Sequence, residues 1–509
     1  MSGFEDKTPS VSNDGAHPDL ENAIRGGTRA VVASQLLAQL ISFAVLAALY
    51  RLIDPDQFGL LGMAIPLLLL SRIFATLGLN VATVQRRHLS DGQLSSLFWF
   101  SQIVSLLVAA GTAATGLLLA WLYETPVLRG LCAVLAGTLI IAALGAQHQA
   151  LLERKLRMGR LAVARLAGQA AGGGTAIAMA LAGYGVWSLV AQQYVEYAVL
   201  GLFAWAMEPW RPKRPGQGQP VGELLRFGGY YSLSSLVFYV AQNADKILIA
   251  ALLGSTASGR AALGMYTQAF NLMMKPVYVV SSPITGIMLP ALSRVADQAD
   301  RYAELVATFY RMVGIVLLPA GVGLFLVAVD LMFVLGGEPW HDAGRMLMAM
   351  APTILVQGFL GIAGSVFASV GRAGHLLIGA LATMLALLIG YAIGFGLGDL
   401  WGTSPIGPTL GVAWSLTLVM IGVVFVPYLM FCFHTVQVSF LDIFRQLKMP
   451  LIASLLMGGG AYVVQQVLQT SGVSPAIRLT GTVASGVLVY IAIARHEVRW
   501  LINQLRDVR

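Results

Sequence analysis

About fourteen stretches of this chain are apolar over ~20 residues or more, the length needed to cross a bilayer core of about 30 Å. A backbone in lipid has to make its own hydrogen bonds, so each stretch is read as a helix. The first two span residues 28–49 and 60–84, the fifth and sixth 161–182 and 185–206, the seventh and eighth 224–252 and 263–290, and the tenth 344–369. Only 11% of the 509 residues are charged, against roughly 25% in soluble domains. The fold class is therefore an all-α polytopic membrane protein.

The chain repeats itself. Gly26-Gly27 precedes the first span and Gly228-Gly229 the seventh, an offset of 202 (228 − 26). Leu61-Gly62-Met63 and Leu263-Gly264-Met265 show the same offset (263 − 61) in the second and eighth spans. Gly185-Val186-Trp187-Ser188-Leu189 is echoed near the twelfth span by Gly411-Val412-Ala413-Trp414-Ser415-Leu416. A parallel repeat of six helices, with the substrate site between the halves, is one transporter design. It divides the chain into a polar tail (1–24), a first lobe (25–209), a linker rich in Pro, Gly and Gln (210–223) and a second lobe (224–434). Two appended helices (445–496) and a tail (497–509) follow.

The net charge of +8 does not indicate nucleic acid. About 24 of the 32 Lys and Arg residues fall in alternate loops or the adjoining helical turns, as the positive-inside rule requires. That pattern places both termini in the cytoplasm. Residues 1–24 lack the apolar core of a signal peptide. Cys132 and Cys432 lie far apart in apolar runs and read as small core residues. The outer loops are too short to fold as catalytic domains, so an enzyme is not expected.

Polar residues within apolar spans are costly and tend to face a bundle interior or a wet cavity. Arg72 lies about twelve residues into the second span, some ~18 Å deep, and Lys275 lies at a matching depth in the eighth. A cation pair of this kind suits a diphosphate; neutralisation by neighbouring carboxylates is the plainer reading. Gln242 and Lys246 share a face one turn from Tyr239 and form a polar wall suited to sugar hydroxyls. Asp245 points ~100° away from its neighbour Lys246, so the two do not make a clean pair with each other. Asn271 adds a polar group to the eighth span. Glu196, beside Gln192 and Gln193, is placed to carry a proton or to pair with Arg165. Gln35, Gln39 and Ser42 form a stripe at i, i+4 and i+7 on the first span, facing protein or water. Pro276 and Pro283 interrupt the eighth span as hinges or static kinks.

The motifs together resemble Wzx-type polysaccharide exporters of the multidrug/oligosaccharidyl-lipid/polysaccharide superfamily. They are Asp56-Gln57-Phe58-Gly59-Leu60, Gly183-Tyr184-Gly185-Val186-Trp187-Ser188-Leu189-Val190 and Asn243-Ala244-Asp245-Lys246-Ile247-Leu248-Ile249. Leu263-Gly264-Met265-Tyr266-Thr267-Gln268-Ala269 and Leu289-Pro290-Ala291-Leu292-Ser293-Arg294 complete the set, which spans roughly residues 25 to 440. The resemblance implies two lobes that open alternately to either side of a bacterial cytoplasmic membrane. It implies a lipid-linked oligosaccharide cargo, usually on undecaprenyl diphosphate, with no bound cofactor. Coupling to an H+ or Na+ gradient and contact with polysaccharide polymerase or export machinery belong to the same expectation. A lipid II flippase and an ion-coupled multidrug antiporter are the alternatives within the superfamily.

Overall fold

The computed structural model describes residues 35, 37–76, 83, 89–214, 239, 243–400, 402–403 and 405–507. The tail 1–24, Gly26-Gly27, Gly228-Gly229, Gln242 and most of the linker lie outside the described residues. All regular structure among the described residues is helical. The first set comprises α1 (Leu37–Leu52), α2 (Pro55–Thr76), α3 (Asp91–Leu122), α4 (Val127–Arg154), α5 (Met158–Leu181) and α6 (Val186–Met207). The second begins with α7 (243–253), α8 (Ala257–Arg294), α9 (Ala299–Gly336), α10 (His341–Met350) and α11 (Thr353–Ser369). It continues with α12 (Ala373–Gly396) and α13 (Ile406–Val419), which runs through a π-helical turn, Met420–Phe425, into α14 (Val426–Val436). The chain closes with α15 (Phe440–Thr470), α16 (Pro475–Ile493) and α17 (Arg495–Asp507).

Eight of these helices are long and apolar enough to cross a membrane, or up to ten if two bent pairs each count as one span. The expected fourteen is not reached by that measure. α1 and α7 adjoin residues outside the description, and α5 and α6 carry the polar residues Arg165, Gln169, Gln192, Gln193 and Glu196. The protein is a multi-pass membrane protein.

Local sequence sets where helices begin. Ser90 accepts a bond from the Gln93 amide at 3.1 Å, and the Gln93 side chain accepts from Ser90 N at 3.2 Å, a capping box at the start of α3. Thr256 caps α8 by accepting from Gly259 N at 3.0 Å. The second span starts at Pro55, not residue 60, because Pro is favoured in a first helical turn, where its missing N–H is not needed. Gly62 and Gly264 then each stand seven residues into their helices (62 − 55 and 264 − 257).

Three further differences have local causes. The tenth span is broken: its two parts meet at 53°, at Ala351-Pro352. α8 bends by 41° at Pro283, with no such break at Pro276. Residues 497–509 are not a plain tail, since α17 continues to Asp507 and docks on α9. There Arg311 bonds Glu497 at 2.8 Å and lies 4.1 Å over the Trp500 ring.

Within the first set α3 packs on α4, α5 on α6 and α4 on α6; within the second α9 packs on α15 and α12 on α13. The sets meet mainly where α2 crosses α8. That crossing is close enough to need glycine: a β-carbon at Gly264 would fall on the Pro55 carbonyl oxygen, and one at Gly59 on that of Arg260. α15 and α16 are pinned to α9 by Arg478, whose Nε donates to the buried Asp330 at 2.7 Å, with Gln465 donating to the Leu326 carbonyl at 3.0 Å. Cys132 and Cys432 are both buried free thiols.

At the opposite end of the bundle, the start of the linker is strapped onto the first set. Trp99 Nε1 donates to the Lys213 carbonyl at 2.7 Å, and Lys213 N donates to Ser95 at 3.0 Å. Glu208, fully buried, bonds Lys155 at 2.6 Å, while His148 bonds the Trp210 carbonyl at 3.1 Å.

Candidate functional site

The seam between α1 and α8 is the clearest meeting of polar groups from the two sets. Gln39 and Ser42 are half-buried on one face of α1, with Gln35 exposed a turn earlier. On α8, Asn271, Lys275 and Tyr278 follow the same i, i+4, i+7 spacing. Ser42 and Lys275 join the two stripes, with Lys275 Nζ donating to Ser42 Oγ at 3.0 Å. No carboxylate among the described residues lies within ion-pair distance of Lys275. An intramembrane ammonium held only by a neutral hydroxyl keeps its capacity for an anion.

Two turns along the same helices the seam is shut. Tyr50 donates to Gln268 Oε1 at 3.2 Å. Trp340 stacks on Tyr50 with ring centres 4.2 Å apart and meets Phe58 edge-on at 5.2 Å. All three rings are buried. Arg51 bonds the carbonyls of Leu335, at 2.9 Å, and of Val334. With α2 tight against α8 at Gly59 and Gly264, this end admits no cargo. It is the end that the basic-loop pattern assigns to the outside.

Arg72 lies elsewhere. It donates to the Tyr197 hydroxyl, and its guanidinium carbon lies 4.5 Å from the centre of that ring. Both side chains line a cavity of ≈ 90 Å³ with Ser101, Ser105 and Gln149, enclosed by α2, α3, α4 and α6. Lys275 is not among the residues lining that cavity. The depth expectation also changes with the start of α2. Arg72 is 17 residues past Pro55 (72 − 55) and Lys275 is 18 past Ala257 (275 − 257). At ~1.5 Å per residue both lie about 26–27 Å along their helices.

Glu196 is within electrostatic reach of Arg72. The expected pairing with Arg165 does not form, because Arg165 instead bonds Glu153 at 3.0 Å, one helix back. Asp245 and Lys246 are both buried. Asp245 accepts from Tyr266 at 2.7 Å, and Lys246 donates to Asn243 at 3.2 Å and lies 4.2 Å over the Phe270 ring. Their own separation of 3.8 Å is long for an ion pair, as their divergent directions on the helix imply. These contacts hold the interior of the second set. Gln242, expected beside them, is outside the described residues.

Sequence reading missed Tyr197, Tyr278, Tyr50 and Trp340. Only Tyr278 had a visible signal, as the i+7 continuation of Asn271 and Lys275.

Comparison with known proteins agrees with this architecture. The profile of a family described as "polysaccharide biosynthesis protein" matches residues 45–345, more than half of the chain. Succinoglycan biosynthesis transport protein ExoT of Rhizobium meliloti (strain 1021) is 24% identical over 474 residues, 92% of each chain. Lipopolysaccharide biosynthesis protein WzxC of Escherichia coli (strain K12) is 24% identical over 329 residues, 63% of this chain and 65% of that protein's length, slightly under two thirds. Among solved structures, lipid II flippase MurJ in an inward closed conformation superposes with a TM-score of 0.71 at 12% identity, covering 93% of this chain and 99% of that one.

Proposed function

The chain belongs to the polysaccharide biosynthesis protein family, and from that premise we propose that it is a transporter flipping a lipid-linked oligosaccharide across the bacterial cytoplasmic membrane. The carrier is an undecaprenyl-diphosphate-class lipid, moved from the inner to the outer leaflet by alternating access. The observation that carries this reading is the α1–α8 seam, with Lys275 held by Ser42 just inside a closed end. A diphosphate is expensive to bring into apolar surroundings unpaired, and Lys275 offers it a cation in exchange for one neutral hydrogen bond. Gln39, Asn271 and Tyr278 flank the headgroup with hydroxyl and amide groups for sugar.

Movement then requires the Tyr50–Trp340–Phe58 latch to part while the seam closes on its inner side. The 41° bend at Pro283 is the candidate hinge, and Pro276 is a second position with a missing backbone donor. Coupling to an H+ or Na+ gradient is part of the proposal. Glu196, within electrostatic reach of Arg72, is the proton candidate; Asp245, bonded to Tyr266, is the alternative. Both termini lie in the cytoplasm, and the polymerase or export machinery receives the cargo outside.

Export complementation in a strain lacking its own transporter tests the reading, with membrane abundance as control. Loss of export in Lys275→Ala at normal abundance is expected. Full export by that variant would remove the seam from the transport path.

A further inference from the structure

A second site lies away from the seam, in the second set. The turn 370–372 between α11 and α12 and the turn 437–439 between α14 and α15 border a cleft of ≈ 630 Å³. Arg372, His375 and His434 line it, with the polar Thr435, Gln437 and Ser439 and an apolar side of Phe431 and Phe433. No acidic side chain is among the lining residues. The nearest one in sequence, Asp442, is occupied by Arg445 at 3.1 Å. Arg372 is positioned by donating to the Thr435 carbonyl at 3.0 Å, which ties the two turns together. The His375 ring is held nearly parallel to Phe431, 5.5 Å away. These are built walls around a cationic opening.

What lies one helical turn deeper decides the occupant. Ile378, at i+3 from His375, is 61% exposed, and Met430, at i−4 from His434, is 55% exposed. On membrane-spanning helices such exposed apolar side chains face acyl chains. The cleft therefore offers a cationic slot for a headgroup directly above an apolar wall for its tails. It opens at the end of the bundle that carries the basic turns, where anionic lipids of a cytoplasmic leaflet collect.

We propose that this cleft binds the phosphate headgroup of an anionic phospholipid of the bilayer, independently of the transported cargo. A soluble acidic partner would not require the apolar wall.

The test is native mass spectrometry of the full-length protein in detergent with dioleoyl-phosphatidylglycerol, dioleoyl-phosphatidylcholine or inorganic phosphate added. Phosphatidylglycerol adducts are expected to outlast phosphatidylcholine adducts. One unit of charge near a headgroup is worth about fivefold in binding, by the value for Lys or Arg, and His434→Glu introduces a negative one. His434→Glu, an exposed site whose replacement leaves the packing intact, should therefore weaken phosphatidylglycerol binding about fivefold or more. Adding Arg372→Glu should weaken it further, while Arg445→Glu, outside the cleft, should leave it unchanged. Equal retention of the two lipids, or unchanged retention by the double variant, overturns the proposal. Displacement of phosphatidylglycerol by millimolar phosphate identifies a free-anion site and also overturns it; persistence in phosphate identifies the lipid as the source.

Discussion

Trp340 donates its indole N–H to the backbone carbonyl of Tyr50 at 2.9 Å, across 290 residues of sequence. The bond joins the end of α1 to the turn that follows α9, and the two rings stack over it. A closed end built on one aromatic cluster and a handful of hydrogen bonds is strong enough to hold a state and small enough to break during transport.

Trp340→Ala removes both the stack and the indole bond, and truncating a buried aromatic costs about 3–5 kcal/mol. The closed state should lose population. Gln268→Cys, buried beside Tyr50, is then expected to react with an impermeant maleimide from outside in the Trp340→Ala background and not in the parent. Equal protection in both would show that the latch does not hold this end.

The seam predicts a graded series. Ser42→Ala deletes one hydrogen bond, a loss of about 0.5–1.5 kcal/mol, and should leave export largely intact. Lys275→Ala should abolish export at unchanged membrane abundance, and Lys275→Arg should keep part of it because the charge survives. A transport assay in which Ser42→Ala is the more damaging change would contradict an anion role for Lys275.

Helix approach gives a contrast between glycines. Gly264→Ala places a methyl group on the Pro55 carbonyl oxygen, so overpacking of about 1–3 kcal/mol is expected. Gly62→Ala meets only Thr267 at 3.4 Å and Leu263 at 3.5 Å, and Gly111→Ala meets nothing within 4 Å. Thermal melts in detergent should rank Gly264→Ala well below the other two, with Gly111→Ala nearest the parent.

Arg478→Ala leaves the buried Asp330 without its strongest partner. Removing one member of a buried pair costs about 3–5 kcal/mol, and the part of Arg478 that reaches solvent reduces this. Melting should fall in Arg478→Ala and recover when Asp330→Asn is added, because the uncompensated charge is then gone. Absence of recovery would assign the loss to packing.

Orientation is checked with two exposed positions at opposite ends of α8. Ser255→Cys should label from outside the cell and Asp297→Cys only after permeabilisation. The reverse result inverts the topology and makes the latched end the cytoplasmic one.

The helical, membrane-spanning class was legible because long apolar runs leave little choice. The stripe Gln35, Gln39 and Ser42 was also legible, because helical period needs only spacing. What each polar residue would meet was not. Arg165 turned to Glu153 rather than Glu196, and Arg72 to Tyr197, because partner choice depends on helix packing angles that sequence spacing does not encode. The start of α2 was misjudged by five residues, since Asp54, Pro55 and Asp56 read as loop although Pro and Asp suit a first helical turn. That shift moved the expected depth of Arg72. α17 was missed because its apolar residues Val498, Trp500, Leu501, Ile502 and Leu505 are too few for a span, although enough for one face of a helix lying along the surface.

The strap of the first linker residues also bears on synthesis. Among the described residues, the bonds closing that end of the first set include Glu208 to Lys155, Trp210 to His148 and Lys213 to Ser95 and Trp99, and none of these uses a residue beyond 213. At roughly 5–20 residues per second on the ribosome, the remaining 296 residues (509 − 213) take about 15–60 s more to emerge. During that interval the first six helices can finish and fasten themselves in the membrane. The second set then inserts beside a completed wall, not into a tangle of open hairpins.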